Sequence, residues 1–182
     1  MRYDLFNTIV MAKDHTTAAT NLSGERYFFN TNGLVSNYYY GDHLYDKCIG
    51  GKTGSTNEAG RCLVATAEQD GMELITIVMG AKPQYTADGL SVITYGSFEE
   101  TRVLLDHAFS AYECRQIFLT GQSLFQYPVQ GGASHVVAGP ADDAMTVLPK
   151  KLDPEALTWR RGEEMQVQAP VAEGQAIATV QV

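Results

Sequence analysis

The chain has 182 residues, 45% of them hydrophobic and 19% charged, with a formal net charge of −8. This is the composition of a globular protein with one domain or slightly more, and it excludes a disordered chain. No apolar run approaches the roughly 20 residues that a membrane-spanning helix needs. The basic residues are scattered through an acidic chain, which argues against nucleic-acid binding.

The cysteines and histidines argue against a metal site and a disulfide framework. Cys48, Cys62 and Cys114 form no Cys-x-x-Cys pair, and the four histidines are far apart in sequence. Structural zinc sites combine such residues at short spacings, and disulfide frameworks usually use an even number of cysteines. Three buried free thiols are therefore the favoured interpretation.

The first 40 residues predict a helix followed by less regular structure. Leu5 and Ile9 share a helical face within residues 3–13, and the Thr-rich residues 14–23 are predicted to be a connector. The stretch "ERYFFNTNGL" predicts a short aromatic strand and a turn. Three tyrosines at positions 38–40 could line a ligand groove, although such a run more often packs a loop against the body of a protein.

Two strands and a helix are predicted next. Residues 62–67 and 72–79 are apolar and are joined at Asp70-Gly71, which is typical of an antiparallel hairpin. Their consecutive apolar residues predict burial on both faces of a sheet. Ser97 and Glu100 have the spacing of a capping box, which predicts the start of an amphipathic helix. Its apolar face would comprise Phe98, Thr101, Leu105, Ala108, Phe109 and Tyr112.

The pattern changes after about Cys114. Short apolar pieces then alternate with turn residues, as in "QIFLTG", "LFQYPVQGG", "HVVAGPADD", "MTVLP", "EMQVQAP" and "AIATVQV". Strands separated by such turns predict a small all-β module. The fold class is therefore α+β, with antiparallel strands and helices in a domain over residues 1–113 and a small β-sandwich-like domain over residues 114–182.

The stretch "CIGGKTGSTNEAG" admits three interpretations. A phosphate-binding loop would match Gly51-Lys52-Thr53, but its first glycine falls at Asp46 and no helix pattern follows. A penicillin-binding serine hydrolase has Lys-Thr-Gly as its third motif. The tripeptide could also be an ordinary turn, because on its own it is common.

The hydrolase interpretation gives each motif residue a physical role. On a strand at the edge of an active site, Lys52 would supply positive charge for a carboxylate and for developing negative charge. The Thr53 hydroxyl would donate to a substrate carboxylate. Gly54, which has no side chain, would let a neighbouring helix and nucleophile come close to the strand. The backbone N–H of Ser55 would help to bind an oxyanion.

The order of several motifs favours the hydrolase interpretation. "NTNGLV", "GGKTGSTNEAGRCLVATAEQDGMELITIVMGA", "SFEETRVLLDHAF" and "VLPK" follow one another along the chain. In this order the chain resembles the C-terminal portion of the D-alanyl-D-alanine carboxypeptidases, the low-molecular-mass penicillin-binding proteins of the S11 serine peptidase family. The resemblance covers essentially the whole chain and implies the C-terminal part of a transpeptidase-like domain followed by the small β domain.

The resemblance implies a set of site residues. Lys52 and Ser55 would be catalytic, and Thr53, Gly54 and Thr56 would bind substrate, with Thr56 beside the terminal carboxylate. Asn30 and Asn32 resemble asparagines that we interpret as structural. The implied partners are peptidoglycan stem peptides and β-lactams, the implied location is the cell envelope outside the cytoplasm, and no metal or organic cofactor is implied.

The chain also departs from the family pattern. None of its eight serines has Lys three residues later, so it contains no Ser-x-x-Lys nucleophile. The family places an Arg before the last helix, where this chain has Ser97. We therefore expect the chain to be inactive alone and to associate with the missing N-terminal part of the catalytic domain or with itself. The alternative is a non-catalytic module that binds cell wall or protein.

Overall fold

The computed structural model describes residues 3–132, 134–153 and 156–181 and divides the chain into two compact units, Met1–Ser110 and Ala111–Val182. The fold is mixed α and β with mostly antiparallel strands, as the sequence predicts. Among the described residues, no helix has both the length and the apolar character needed to cross a membrane.

The first unit begins with helix α1 (Asp4–Met11), which confirms the predicted helix. A two-stranded antiparallel sheet follows, formed by β1 (Asp14–Thr17) and β2 (Arg26–Phe29). The prediction of a connector over residues 14–23 is therefore wrong for its first part. Its polar, Thr-rich residues pair with the aromatic strand, where β-branched threonines fit well.

A three-stranded antiparallel sheet forms the centre of the first unit, in the order β3 (Cys48–Thr56), β4 (Gly60–Gln69) and β5 (Met72–Ala81). The predicted hairpin is confirmed, with Asp70 and Gly71 at positive φ values of 52° and 76°. Two residues with positive φ make a turn whose twist matches that of the flanking strands.

The two faces of this sheet differ in exposure. On the buried face, Leu63 pairs with Val78, and both are at most 5% exposed. On the open face, Lys52 pairs with Val64, which pairs with Ile77, and Ile75 lies beside them. Ile75 and Ile77 are 69% and 64% exposed. The prediction that both faces are buried is therefore wrong for the described residues, which cover only one face.

The remainder of the first unit is a hairpin and a helix. Strands β6 (Pro83–Tyr85) and β7 (Val92–Tyr95) pair, and helix α2 (Gly96–Ala111) follows directly. The helix starts one residue before Ser97, so Ser97 lies in its first turn and not at the predicted cap. Its predicted apolar face is confirmed at four positions, since the buried residues include Phe98, Thr101, Leu105 and Phe109.

The second unit consists of β8 (Tyr112–Phe118), β9 (Phe125–Pro128), β10 (His135–Ala138), β11 (Ala144–Pro149), β12 (Arg160–Glu164) and β13 (Ala178–Gln181). They pair as β8 with β11, β9 with β10, and β12 with β13, all antiparallel. Its core is built around Tyr127, Val167 and Ile177. The predicted strand in "EMQVQAP" is misplaced, because the strand is Arg160–Glu164 and that stretch adds an isolated bridge at Gln168.

Candidate functional site

The Lys-Thr-Gly run lies within β3, which is an edge strand of the three-stranded sheet in the described part of the chain. Lys52, Thr53 and Gly54 pair with Val64, Leu63 and Cys62 of β4. The run does not stand at the start of a helix, where a phosphate-binding loop would need it. An edge strand leaves one side of its backbone without a strand partner, and an extended peptide can pair with such an edge.

Side chains alternate along β3, so the motif presents groups on both sides of the edge. Lys52 and Gly54 belong to the open face, and Thr53 and Ser55 belong to the opposite face. Lys52 is exposed, and its Nζ donates a hydrogen bond to the Thr53 carbonyl oxygen at 2.6 Å. Its ammonium therefore folds back along the strand edge.

Thr53 is tied to the preceding Asn-Thr-Asn segment. The hydroxyls of Thr31 and Thr53 share a hydrogen bond of 2.6 Å. Asn30 Nδ2 donates to the carbonyl oxygens of Val10 and Ala12 at the end of α1, at 3.1 and 2.9 Å. These bonds satisfy carbonyls that a helix end leaves without partners.

Asn32 completes this support from the interior. Its side chain is fully buried, and its Oδ1 accepts a hydrogen bond from the backbone N–H of Leu34 at 3.0 Å. Its own N–H donates to Asn30 Oδ1 at 2.9 Å. Together the two asparagines brace the segment that holds Thr31 against β3, in agreement with the structural role expected from the sequence.

The glycines of β3 differ in backbone conformation and in the space around them. Gly50 and Gly51 have φ values of 131° and 145°, and a Cβ on Gly51 would lie 2.1 Å from the Val64 carbonyl oxygen. A Cβ on Gly50 would lie 2.6 Å from the Val10 side chain of α1. At Gly54, by contrast, a Cβ would have no neighbour within 4 Å in the described residues. The close approach expected at Gly54 is thus not made by this part of the chain.

Ser55 and Thr56 lie where β3 turns into β4. Ser55 pairs with Arg61 and Thr56 pairs with Gly60, and both side chains are exposed. The Thr56 hydroxyl accepts a hydrogen bond from the Ala59 N–H at 3.0 Å, so it also holds the turn. The five candidate residues are consecutive, and the strand presents them together at one sheet edge.

Arg61 is a neighbour of the motif that the sequence reasoning missed. Its guanidinium lies 4.7 Å from the centroid of the Tyr95 ring and 5.9 Å from that of Tyr40. A register count across the short turn after Thr56 would have placed it opposite Ser55. The other position of interest, Ser97, is 2% exposed and offers no charge to a ligand.

Two groups near the motif have perturbed acidity. Burial raises the pKa of the Cys48 thiol at the start of β3. Burial, together with the hydrogen bond of 2.7 Å to Asp106, raises the pKa of Tyr45. Both shifts favour the neutral form, so these groups are structural donors and not nucleophiles at neutral pH.

The three tyrosines form a turn that is partly exposed. Tyr38 stacks on Phe29 with ring centroids 3.5 Å apart, and Tyr40 contacts Tyr95 and Phe98. The loop interpretation is thus supported for Tyr40, which is half-buried. Tyr38 and Tyr39 remain 60% and 52% exposed.

The second unit contains its own cavity of about 900 Å³. Its lining has more apolar than polar surface and includes Phe125, Val136, Val171, Ile177 and Val180. The cavity holds none of the predicted site residues, which all belong to the first unit.

Comparison with known proteins identifies relatives of the chain. Residues 1–83 match the sequence model of the family Peptidase S11, D-alanyl-D-alanine carboxypeptidase. The chain is 31% identical to the D-alanyl-D-alanine carboxypeptidase DacA of Haemophilus influenzae, over 83% of this chain and 35% of the relative. It is 26% identical to DacF of Bacillus subtilis, over 88% of this chain and 37% of the relative. The chain thus spans little more than a third of these relatives.

Solved structures agree on the fold. Penicillin binding protein 5 of Haemophilus influenzae matches with a TM-score of 0.63 and 28% identity, over 96% of this chain and 45% of that chain. The peptidoglycan synthesis regulatory factor PBP3 of Streptococcus pneumoniae matches with a TM-score of 0.69 and 21% identity, over 97% and 45%. The resemblance drawn from the motifs and the expected fold class are confirmed.

Proposed function

We propose that this chain, whose residues 1–83 belong to the D-alanyl-D-alanine carboxypeptidase family, is the C-terminal portion of a serine-type enzyme. The enzyme would trim the terminal D-alanine from peptidoglycan stem peptides in the cell envelope. The observation that carries the proposal is the Lys-Thr-Gly run on an edge strand, with open space beside Gly54. That arrangement leaves room for an extended peptide along the strand.

The reaction would be acyl transfer to a serine. A serine from a Ser-x-x-Lys segment attacks the carbonyl carbon of the last peptide bond, and D-alanine leaves after its nitrogen gains a proton. Water then attacks the acyl-enzyme and releases the shortened peptide, which restores the serine hydroxyl. β-Lactams would acylate the same serine.

This chain would supply the electrostatic half of that site. The Ser55 N–H would stabilise the oxyanion, and the Lys52 ammonium would stabilise charge that develops near the nucleophile. The Thr53 hydroxyl would bind the substrate carboxylate, with Thr56 at the next position along the strand. Gly54 would leave space for the nucleophile-bearing element, which fits the absence of described neighbours around it.

The chain would be inactive alone, because none of its serines has Lys three residues later. The open face of the sheet would be covered by a nucleophile-bearing segment of the catalytic domain or by a second copy. Its exposed apolar side chains support this, since a contiguous apolar surface marks an interaction site.

The test is acylation by a fluorescent penicillin, detected by mass spectrometry. The chain alone should remain unlabelled. Mixed with the N-terminal portion of DacA from Haemophilus influenzae, it should support labelling. Lys52→Gln should abolish this labelling. A mixture that folds and associates but takes up no label would overturn the proposal.

A second candidate is a non-catalytic module that binds cell wall or protein. The cavity of about 900 Å³ in the second unit favours it, because concave sites that combine apolar and polar lining are typical of ligand binding. Binding of the chain to purified peptidoglycan that persists in Lys52→Gln, without any labelling in the mixture, would support this candidate instead.

A further inference from the structure

The environment of Arg61 holds its side chain in place without neutralising its charge. The guanidinium contacts two aromatic rings, with centroid distances of 4.7 Å to Tyr95 and 5.9 Å to Tyr40. Such cation–π contacts attract the guanidinium to the ring faces but place no anion beside it. Within the described part of the chain, no carboxylate lies within ion-pair distance of Arg61.

The position of Arg61 connects this charge to the motif strand. Arg61 pairs directly with Ser55, and paired residues in an antiparallel ladder project to the same face with Cβ atoms about 4.5–5.5 Å apart. By alternation Thr53 lies on that face as well, whereas Lys52 lies on the other. Arg61 is thus the cation that shares a face with the Thr53 hydroxyl.

Its chemistry selects the ligand. A guanidinium is charged at any ordinary pH and presents its N–H donors as a planar fork that matches the two oxygens of a carboxylate. Lysine offers a point charge without that fork. A half-buried arginine with no acidic partner among the described residues, paired with Ser55 of the edge strand β3, is suited to bind the carboxylate of a peptide that lies along that strand.

We propose that Arg61 binds the terminal carboxylate of the peptide substrate, on the face that also carries Thr53. Lys52 then acts from the open face on the charge that develops at the reacting carbonyl. This division of the two cations rests on the proposed function, and it assigns to Arg61 a role in selecting peptides that end in a free carboxylate.

The test is an NMR titration of the whole 182-residue chain with two probes. One is an N-acetylated peptide that ends in D-alanyl-D-alanine, and the other is the same peptide with a C-terminal amide. The wild type should bind the acid more tightly than the amide. Arg61→Gln should weaken binding of the acid about 10- to 100-fold, as expected for loss of a hydrogen bond between charged groups, and leave the amide unchanged.

Arg26 provides a matched control. Its guanidinium also lies over an aromatic ring, 5.6 Å from the centroid of Phe28. Arg26, however, belongs to β2, which pairs with β1 and not with the motif strand. Arg26→Gln should leave binding of both probes unchanged. Arg61→Lys should bind the acid with intermediate affinity, because it keeps the charge and loses the fork.

A second measurement keeps the proposal testable if Arg61→Gln does not fold. In the wild type, the Nε–Hε signal of Arg61 should shift on addition of the acid and not of the amide. If the acid binds and Lys52→Gln weakens it while Arg61→Gln does not, the role of Arg61 is wrong and the proposed function stands. If the wild type binds neither probe, the role of Arg61 is overturned, and the proposed function is then decided by labelling of the mixture.

Discussion

The buried and open faces of the three-stranded sheet are built from similar apolar side chains but have different surroundings. Leu63 on the buried face is 1% exposed, whereas Ile77 on the open face is 64% exposed. At the Gly50 end, the Val10 side chain of α1 lies against the open face. The sequences of β4 and β5 contain continuous apolar runs, which predict a sheet buried on both faces. In the described residues, only one of the two faces is buried.

This difference predicts unequal effects of truncation on stability. Leu63→Ala should lower the free energy of unfolding by about 2–5 kcal/mol, because it removes buried methyl groups and leaves a cavity. Ile77→Ala should change it by no more than about 0.5 kcal/mol, since its side chain is exposed. Urea denaturation at low protein concentration measures both. Equal losses in the two variants would show that the open face is covered in solution.

The sequence predicted those elements that are determined by residues close together in the chain, and it missed elements that depend on pairing with distant residues. Asp70-Gly71 fixed the hairpin because two residues with positive φ are sufficient to specify the turn. The spacing of Phe98, Leu105 and Phe109 likewise fixed the buried side of α2. The strand Asp14–Thr17 was missed, because its residues are polar and it becomes a strand only by pairing with β2.

The candidate site shows the same division. The Lys-Thr-Gly motif could be found from the sequence, because Lys52 and the other motif residues are consecutive. Arg61 could have been placed opposite Ser55 by counting residues across the turn, but its ring contacts could not be predicted, because a distant loop and β7 supply the two aromatic rings. Exposure of the open face could not be predicted either, since an apolar run does not say what covers it.

Two glycines of β3 differ in how closely other residues pack against them. Gly51→Ala should destabilise the chain by about 1–3 kcal/mol from backbone strain alone, because its φ is 145° and the added Cβ would overlap the Val64 carbonyl oxygen. Gly54→Ala should leave stability nearly unchanged, since a Cβ there meets nothing within 4 Å in the described residues.

Thermal unfolding followed by circular dichroism compares the two glycine variants. In the acylation mixture, Gly54→Ala should reduce penicillin labelling although the chain itself is stable. If Gly54→Ala proves as unstable as Gly51→Ala, the space beside Gly54 is occupied by the chain's own residues and cannot receive a nucleophile-bearing segment.

The open face should also control association. Ile77→Lys places a charge in the exposed apolar surface and should weaken self-association, or association with the N-terminal portion of a relative, by about tenfold or more. Light scattering at micromolar concentration measures this. Leu22→Lys is the control, because Leu22 is 91% exposed in a loop outside the sheet. The prediction would be contradicted if the wild type were monomeric and also did not bind the N-terminal portion.

The smallest expected effect concerns the two cysteines beside the motif. Cys62 pairs with Gly54, and Cys48 is half-buried at the start of β3 with its pKa raised by burial. Because the thiolate is the reactive form, Cys48 should be alkylated more slowly than Cys62 at pH 8, and its rate should continue to rise as the pH increases toward the raised pKa. Mass spectrometry of proteolytic fragments separates the two rates from each other and from that of Cys114, and Cys62→Ser and Cys48→Ser confirm the assignment. Added acid-terminated peptide should protect Cys62 more than Cys48, because Cys62 pairs with Gly54 of the motif whereas Cys48 lies at the other end of β3. Equal protection of both thiols would mean that the peptide stabilises the whole unit and does not bind along β3.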